Sequence, residues 1–143
     1  MNLTTRVRPE WIDYNGHLSE AYYVLVFGWA TDEVMAQIGL DEAYRERTGC
    51  SLYTVEAHIR YLREVDGDAE LQVTSTIVGS GAKKLRICHE MAVGDALVAT
   101  EEILALHVDA RTESTVVFPA AVVARIQQLT APPPEYAGRS ITG

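Results

Sequence analysis

The 143-residue sequence predicts an α+β fold, an antiparallel sheet wrapped around one long central apolar helix. The first sign is residues 21–30, AYYVLVFGWA, a run with no charge. A helix apolar on every side has to be enclosed by other structure. The second sign is a change of period from residue 51 onward. Tyr53, Val55, Ala57, Ile59 and Tyr61 alternate with Thr54, Glu56, His58 and Arg60, the two-residue repeat of a strand with its apolar face towards a core. The third is spacing. Further β-like segments follow, parted by short Gly-containing turns at residues 66–68, 79–81 and 94–95, and such connections favour antiparallel neighbours.

Taken in order, residues 3–7 read as a short first strand, closed by Pro9, which cannot donate to a ladder. A polar turn follows, with Ser19 as N-cap and Glu20 in the first turn of the apolar helix. Asp32 and Glu33 bring back polarity, and Gly39 suits the C-cap. Residues 41–48 make a second short helix ended at Gly49. The strand from residue 51 then leads a four-strand meander through residues 70–78, 83–93 and 97–108. Pro119 suits the first turn of a closing helix over 120–129. Residues 1–130 form one domain, and the Pro- and Gly-containing tail over 131–143 is expected to be extended or disordered. One curled sheet buries a single face against its helix. Its other face and its edge are left to self-association, as a homodimer or homotetramer.

A net charge of −8 excludes a general nucleic-acid binder, which needs a basic face. Lys83, Lys84 and Arg86 are the local exception. They suit either an anionic ligand or a lysine-guarded strand edge. Cys50 and Cys88 lack zinc or disulfide spacing, so reduced thiols and no metal are expected. The first residues carry no signal-like apolar stretch, and no run approaches the roughly 20 apolar residues of a membrane span. The expectation is a cytoplasmic protein with no membrane or nucleic-acid partner.

The run Trp11-Ile12-Asp13-Tyr14-Asn15-Gly16-His17, feeding directly into the apolar helix, concentrates the chemistry. Asp13 can serve as nucleophile or general base, or it can simply make an Asx-turn. Gly16 permits a backbone conformation closed to other residues. His17 can orient a water, contact a reacting group, or cap the turn. Trp11, Tyr14, Tyr22, Tyr23, Trp29 and Tyr53 supply aromatic rings around this turn and helix. Most are core, while Trp11 and Tyr14, on the turn itself, are candidates to face a cationic group. Glu56 and His58 lie opposite the apolar stripe and suit a subunit interface. Cys50 has no histidine at motif spacing to make it a nucleophile.

This element order, with the Asp-Tyr-Asn-Gly-His turn entering the apolar helix, resembles the hotdog-fold acyl-CoA thioesterases of the 4-hydroxybenzoyl-CoA thioesterase type. The resemblance covers residues 7 to about 108. Residues 9–17 together with Tyr53-Thr54-Val55-Glu56-Ala57-His58-Ile59 resemble more narrowly the betainyl-CoA thioesterases, free-standing or fused to carnitine dehydrogenases. It implies Asp13 as the catalytic carboxylate, with His17 beside it, and the backbone at Gly49, Cys50 and Ser51 polarising the thioester carbonyl. It implies the acyl group at Trp11, Tyr14, Asn15 and Gly16, and CoA phosphates at Lys83, Lys84 and Arg86. The expected reaction is hydrolysis of a small acyl-CoA, betainyl-CoA to glycine betaine and CoA, with no cofactor beyond the CoA ester itself and with sites formed between subunits. The rivals are another enzyme of this fold (an aromatic or fatty acyl-CoA thioesterase, or an enoyl-CoA hydratase or dehydratase using His17 with Asp13) and a non-catalytic acyl-CoA-binding protein.

Overall fold

The computed structural model describes residues 1–142. Strand β1 (Asn2–Arg6) leads through a single 3-10 turn at Pro9–Trp11 into helix α1 (Glu20–Ile38), followed by α2 (Glu42–Thr48). Strands β2 (Cys50–Tyr61), β3 (Glu70–Ser80), β4 (Lys84–Val93) and β5 (Ala96–Asp109) then build the sheet. A two-residue β6 (Ser114–Thr115) pairs with β5, and α3 (Ala120–Leu129) closes the chain. The predicted helix ends hold because their caps hold. Gly39 and Gly49 both sit in the left-handed region, at φ 94° and 74°, where a side chain would be strained. Asp41 accepts the N–H of Tyr44 at 2.8 Å and starts α2.

The strand order is β1-β3-β4-β5-β2. The expected four-strand meander is therefore correct for β3, β4 and β5 only. Residues 62–69 carry the chain from edge strand β2 across to β3, beside β1, instead of making a hairpin. They do so because their backbone is spent elsewhere: Leu62 N–H bonds Val98 O at 2.9 Å, and Val65 O accepts the Leu18 N–H at 2.8 Å. This crossing straps the Asp13 turn to the end of the sheet.

The β2 faces also differ from the period-two reading. A bulge between Thr54 and Glu56 inserts Val55 as an extra residue, and one extra residue exchanges the two faces. Ala57, Ile59 and Tyr61 share the helix-facing side with Ile103, Glu101 and Ala99, their partners on β5, whereas Tyr53 lies on the opposite side. Tyr53 and Val55 are left exposed, at 46% and 54%.

Helix α1 packs mainly on β1, β3 and β4 and meets β2 at its Tyr61 end. Its Val26, Phe27, Ala30, Val34 and Ile38 are fully enclosed, each large side chain contributing about 1.5–3 kcal/mol of burial. The helix is not enclosed on every side, however. Ala21, Val24, Leu25 and Gly28 form an exposed apolar stripe at helical spacing. The tail is anchored. Ala131 N–H bonds Ile77 O at 2.9 Å, the Tyr136 hydroxyl reaches His89 O at 3.5 Å, and Gly138 N–H bonds Glu102 at 2.7 Å. Gly143 lies outside the described residues. Among the described residues no helix is long and apolar enough to cross a membrane.

Candidate active site

Residues 12–18 fold into a miniature hairpin, because Ile12 and Leu18 pair as a bridge and Asp13 N–H bonds His17 O at 3.0 Å. Gly16, at φ 80°, makes the reversal possible. Asp13 Oδ1 accepts the Asn15 N–H at 2.9 Å, so the Asx-turn is real. That bond fixes the carboxylate and leaves Oδ2 without a partner among the described residues. The structural and chemical readings of Asp13 therefore coexist.

Directly after the hairpin α1 begins. Ser19 takes the N-cap position, but its side chain makes no capping bond. The N–H groups of Glu20 and Ala21 find no acceptor among the described residues, whereas Ser19 N–H and Tyr22 N–H are taken by Trp11 O and Ser19 O. Unpaired first-turn amides with the helix dipole behind them are ready donors for a developing negative charge. Sequence reading placed the donors at Gly49 and missed these. The signal was present, since the N-cap had been located immediately behind Asp13.

Asp13, Tyr14, Asn15, His17 and Glu20 open onto a cleft of about 940 Å³. Its walls include Tyr23, Tyr61 and Glu64, none of which was predicted as a site residue. Tyr23 and Tyr61 meet edge to face at 5.1 Å. Their hydroxyls are tied to Arg63 O and Glu20 O; Tyr23 is 3% exposed and Tyr61 45%. Burial raises both phenols above their ordinary range, so both stay neutral.

Several expected residues stand elsewhere. Trp11 is 3% exposed and its ring faces are occupied, by Tyr22 stacked at 5.4 Å and by the Arg8 guanidinium at 5.3 Å. It is a core residue and not a cage wall. Tyr14 is the opposite case, 97% exposed at the rim. His17 Nε2 lies 3.3 Å from Glu64 and 3.8 Å from Asp66 and makes no bond to Asp13. The His–Asp pairing of the dehydratase reading is absent from the described residues. Gly49 opens β2 at the end opposite Tyr61, and Lys84, level with Leu106 and Tyr53, lies at that same far end. Along the strands Gly49, Lys83 and Lys84 stand roughly 20 Å or more, and Arg86 about 17 Å, from Tyr61 in the wall of the Asp13 cleft. Arg86 is also held by Glu102 at 2.7 Å. Cys50 and Cys88 are buried, and burial pushes the Cys88 thiol up to about 11, leaving it protonated.

The family model described as the thioesterase-like superfamily matches residues 7–126. The chain belongs to that superfamily. It is a thioesterase of the hotdog fold, and its curled sheet around α1 is that fold. The chain is 42% identical to the betainyl-CoA thioesterase of Pseudomonas aeruginosa, across 96% of this chain and 91% of the relative. It is 43% identical to the L-carnitine dehydrogenase/betainyl-CoA thioesterase of Agrobacterium fabrum over 94% of its own length, but it spans only 29% of that longer protein. A Staphylococcus aureus protein solved in complex with CoA superposes with a TM-score of 0.92 at 26% identity, over 99% of this chain and 93% of that one.

Proposed function

We propose that the protein hydrolyses betainyl-CoA to glycine betaine and CoA. The observation that carries this reading is the free Oδ2 of Asp13 in one cleft with Glu20, which opens the uncapped first turn of α1. The thioester carbonyl oxygen accepts from the free amides of that turn. Asp13 attacks the carbonyl carbon, or takes the proton of a water that does. The C–S bond then breaks, CoA leaves as a thiolate that picks up a proton, and any acyl-aspartyl anhydride is opened by water, restoring Asp13. The acyl group is cationic, and the cleft offers it the exposed ring of Tyr61 with carboxylates at Glu20 and Glu64. Each ring facing the cation is worth about 0.5–2 kcal/mol. The likeness to betainyl-CoA thioesterase supports the same substrate.

The reading includes self-association. β2 is an edge strand, and beside it the apolar stripe of α1 is uncovered, with Val24 and Leu25 at 43% and 41% exposure. Two copies pairing antiparallel through β2 cover both features. Such pairing sets the Cys50 end of one strand against the Tyr61 end of the other. The partner subunit's Gly49, Lys83 and Lys84 then approach Asp13, as the basic strand requires if it is to meet CoA phosphates. The test is thiol release from betainyl-CoA, 3,3-dimethylbutyryl-CoA (its uncharged isostere), benzoyl-CoA and palmitoyl-CoA. The highest kcat/KM is expected for betainyl-CoA; a preference for any neutral ester contradicts the reading.

A further inference from the structure

Among the described residues one buried carboxyl is left without a partner. Glu101 is 5% exposed on the helix-facing side of β5, directly between His89 on β4 and Ile59 on β2. The imidazole beside it is not hydrogen-bonded to it: His89 Nε2 is 4.0 Å away. That imidazole is fully engaged, with Ser75 Oγ on Nδ1 at 2.6 Å and Thr31 Oγ1 on Nε2 at 2.9 Å, under the stacked ring of Phe27. No enclosed side-chain nitrogen or oxygen lacks a partner. The unbonded oxygens of Glu101 therefore keep an opening to their surroundings.

Helix α1 packs mainly on β1, β3 and β4 and reaches β2 where Tyr23 meets Tyr61. Space is left beside it: Val24 and Gly28 are exposed, a Cβ on Gly28 would meet nothing within 4 Å, and Ile59 and Tyr61 on β2 are not fully buried. Glu101 sits two residues along the same face from Ala99, the partner of Tyr61, and so roughly 7 Å deeper than the cleft wall. Tyr61 itself lines the Asp13 cleft, packed on Tyr23. Glu101 therefore follows Tyr61 inward along the sheet from that cleft.

We propose that Glu101 is the specificity-determining residue of the acyl subsite, an anionic floor that selects a quaternary ammonium acyl group over its neutral isostere. The inference rests on the betainyl-CoA reading and deepens it. A trimethylammonium group is too large and too fully alkylated to donate a hydrogen bond, so it needs an acceptor charge at van der Waals range and greasy walls around it. Glu101 with Ile59, Val24 and the Tyr61 ring supplies both. Burial raises the carboxyl to about 7; a cation alongside favours its ionised form. A buried carboxyl with no bond inside the protein costs stability, and a cationic ligand offsets that cost.

The experiment compares kcat/KM for betainyl-CoA and 3,3-dimethylbutyryl-CoA in wild type, Glu101→Gln and Glu101→Asp, with a thermal melt of each. Glu101→Gln is expected to lose about 100-fold on betainyl-CoA while keeping or improving the neutral ester. Glu101→Asp, which retains the charge, is expected to keep a preference for betainyl-CoA. Equal losses on both esters in Glu101→Gln overturn the assignment, as does Glu101→Asp losing the preference as completely as Gln. A wild type that prefers the neutral ester overturns the substrate reading itself, and is thereby distinguishable from a failure of Glu101 alone.

Discussion

The two ends of the sheet treat a buried histidine differently. At the α2 end, His107 is 1% exposed; Tyr44 Oη lies 2.9 Å from its Nε2, Val116 O lies 3.0 Å from Nδ1, and Phe118 stacks on it at 4.8 Å. Both ring nitrogens are answered there and the surroundings are apolar, including Ile38, Leu52, Ile103 and Ile126. Towards the Asp13 end, His89 is answered as fully, but the carboxyl beside it is not. Glu101 and Asp13 Oδ2 lack hydrogen-bond partners among the described residues. Polar groups are normally satisfied inside proteins. A buried unpaired carboxyl beside one histidine, with none among the described residues beside the other, marks the end that waits for a ligand.

The comparison can be broken in several ways, and the largest effect concerns the open end. Leu25→Glu puts a charge on the exposed stripe of α1. Sedimentation should show the proposed dimer dissociating, and thiol release should fall more than tenfold. An active monomer would show that one chain completes its own cleft. At the closed end, Tyr44→Phe leaves His107 Nε2 with no partner. Denaturant unfolding should show about 1–3 kcal/mol of lost stability, with kcat/KM of the folded protein unchanged. A change in kinetics without a change in stability would mean that the two ends are not separate.

The pH dependence of stability sharpens the contrast within the His89 row. Burial lowers His89 to about 4 and raises Glu101 to about 7. Between pH 4 and about 6.5 the unfolded chain binds the extra histidine proton, so that contribution rises with pH. Between about pH 4.5 and 7 the folded chain holds the extra carboxyl proton, so that contribution falls with pH. The two oppose each other and the wild-type Tm should change little from pH 5 to 6.5. Glu101→Gln removes the falling contribution, and its Tm should climb over that interval; a variant profile parallel to wild type would show that Glu101 is already ionised in the fold. The smallest effect belongs to Ser19→Ala. Because Ser19 makes no capping bond, its loss should stay within about 0.5 kcal/mol, below the ~1 kcal/mol of a working cap. A larger loss would mean that the first turn of α1 is capped and its amides are not free.

Much of this could be read from the sequence. The helix ends at Gly39 and Gly49, the α3 span and the turn at Asp13 follow from local chemistry, and local chemistry decided them. What was not legible depended on non-local facts. The bulge at Val55 leaves no mark in an unbroken alternation, so Tyr53 was put on the wrong face. The crossing of residues 62–69 looks like a hairpin until the bonds to Val98 and Leu18 are known. Trp11 looked available because nothing in the sequence places Arg8 and Tyr22 on its ring. Gly49 and the basic strand were assigned to a site that their own chain holds at the far end of β2. Glu101 was findable. Its alternation with Ala99, Ile103 and Ala105 puts it on the core face, while its neighbour Glu102 points outward to Arg86.

The most direct test of the site is Asp13→Asn, an isosteric change that keeps an Asx-turn acceptor but removes the carboxylate. Thiol release from betainyl-CoA should fall by about 10²–10⁴-fold, with the circular dichroism spectrum and Tm close to wild type. A folded Asp13→Asn protein that releases CoA at the wild-type rate would contradict the account.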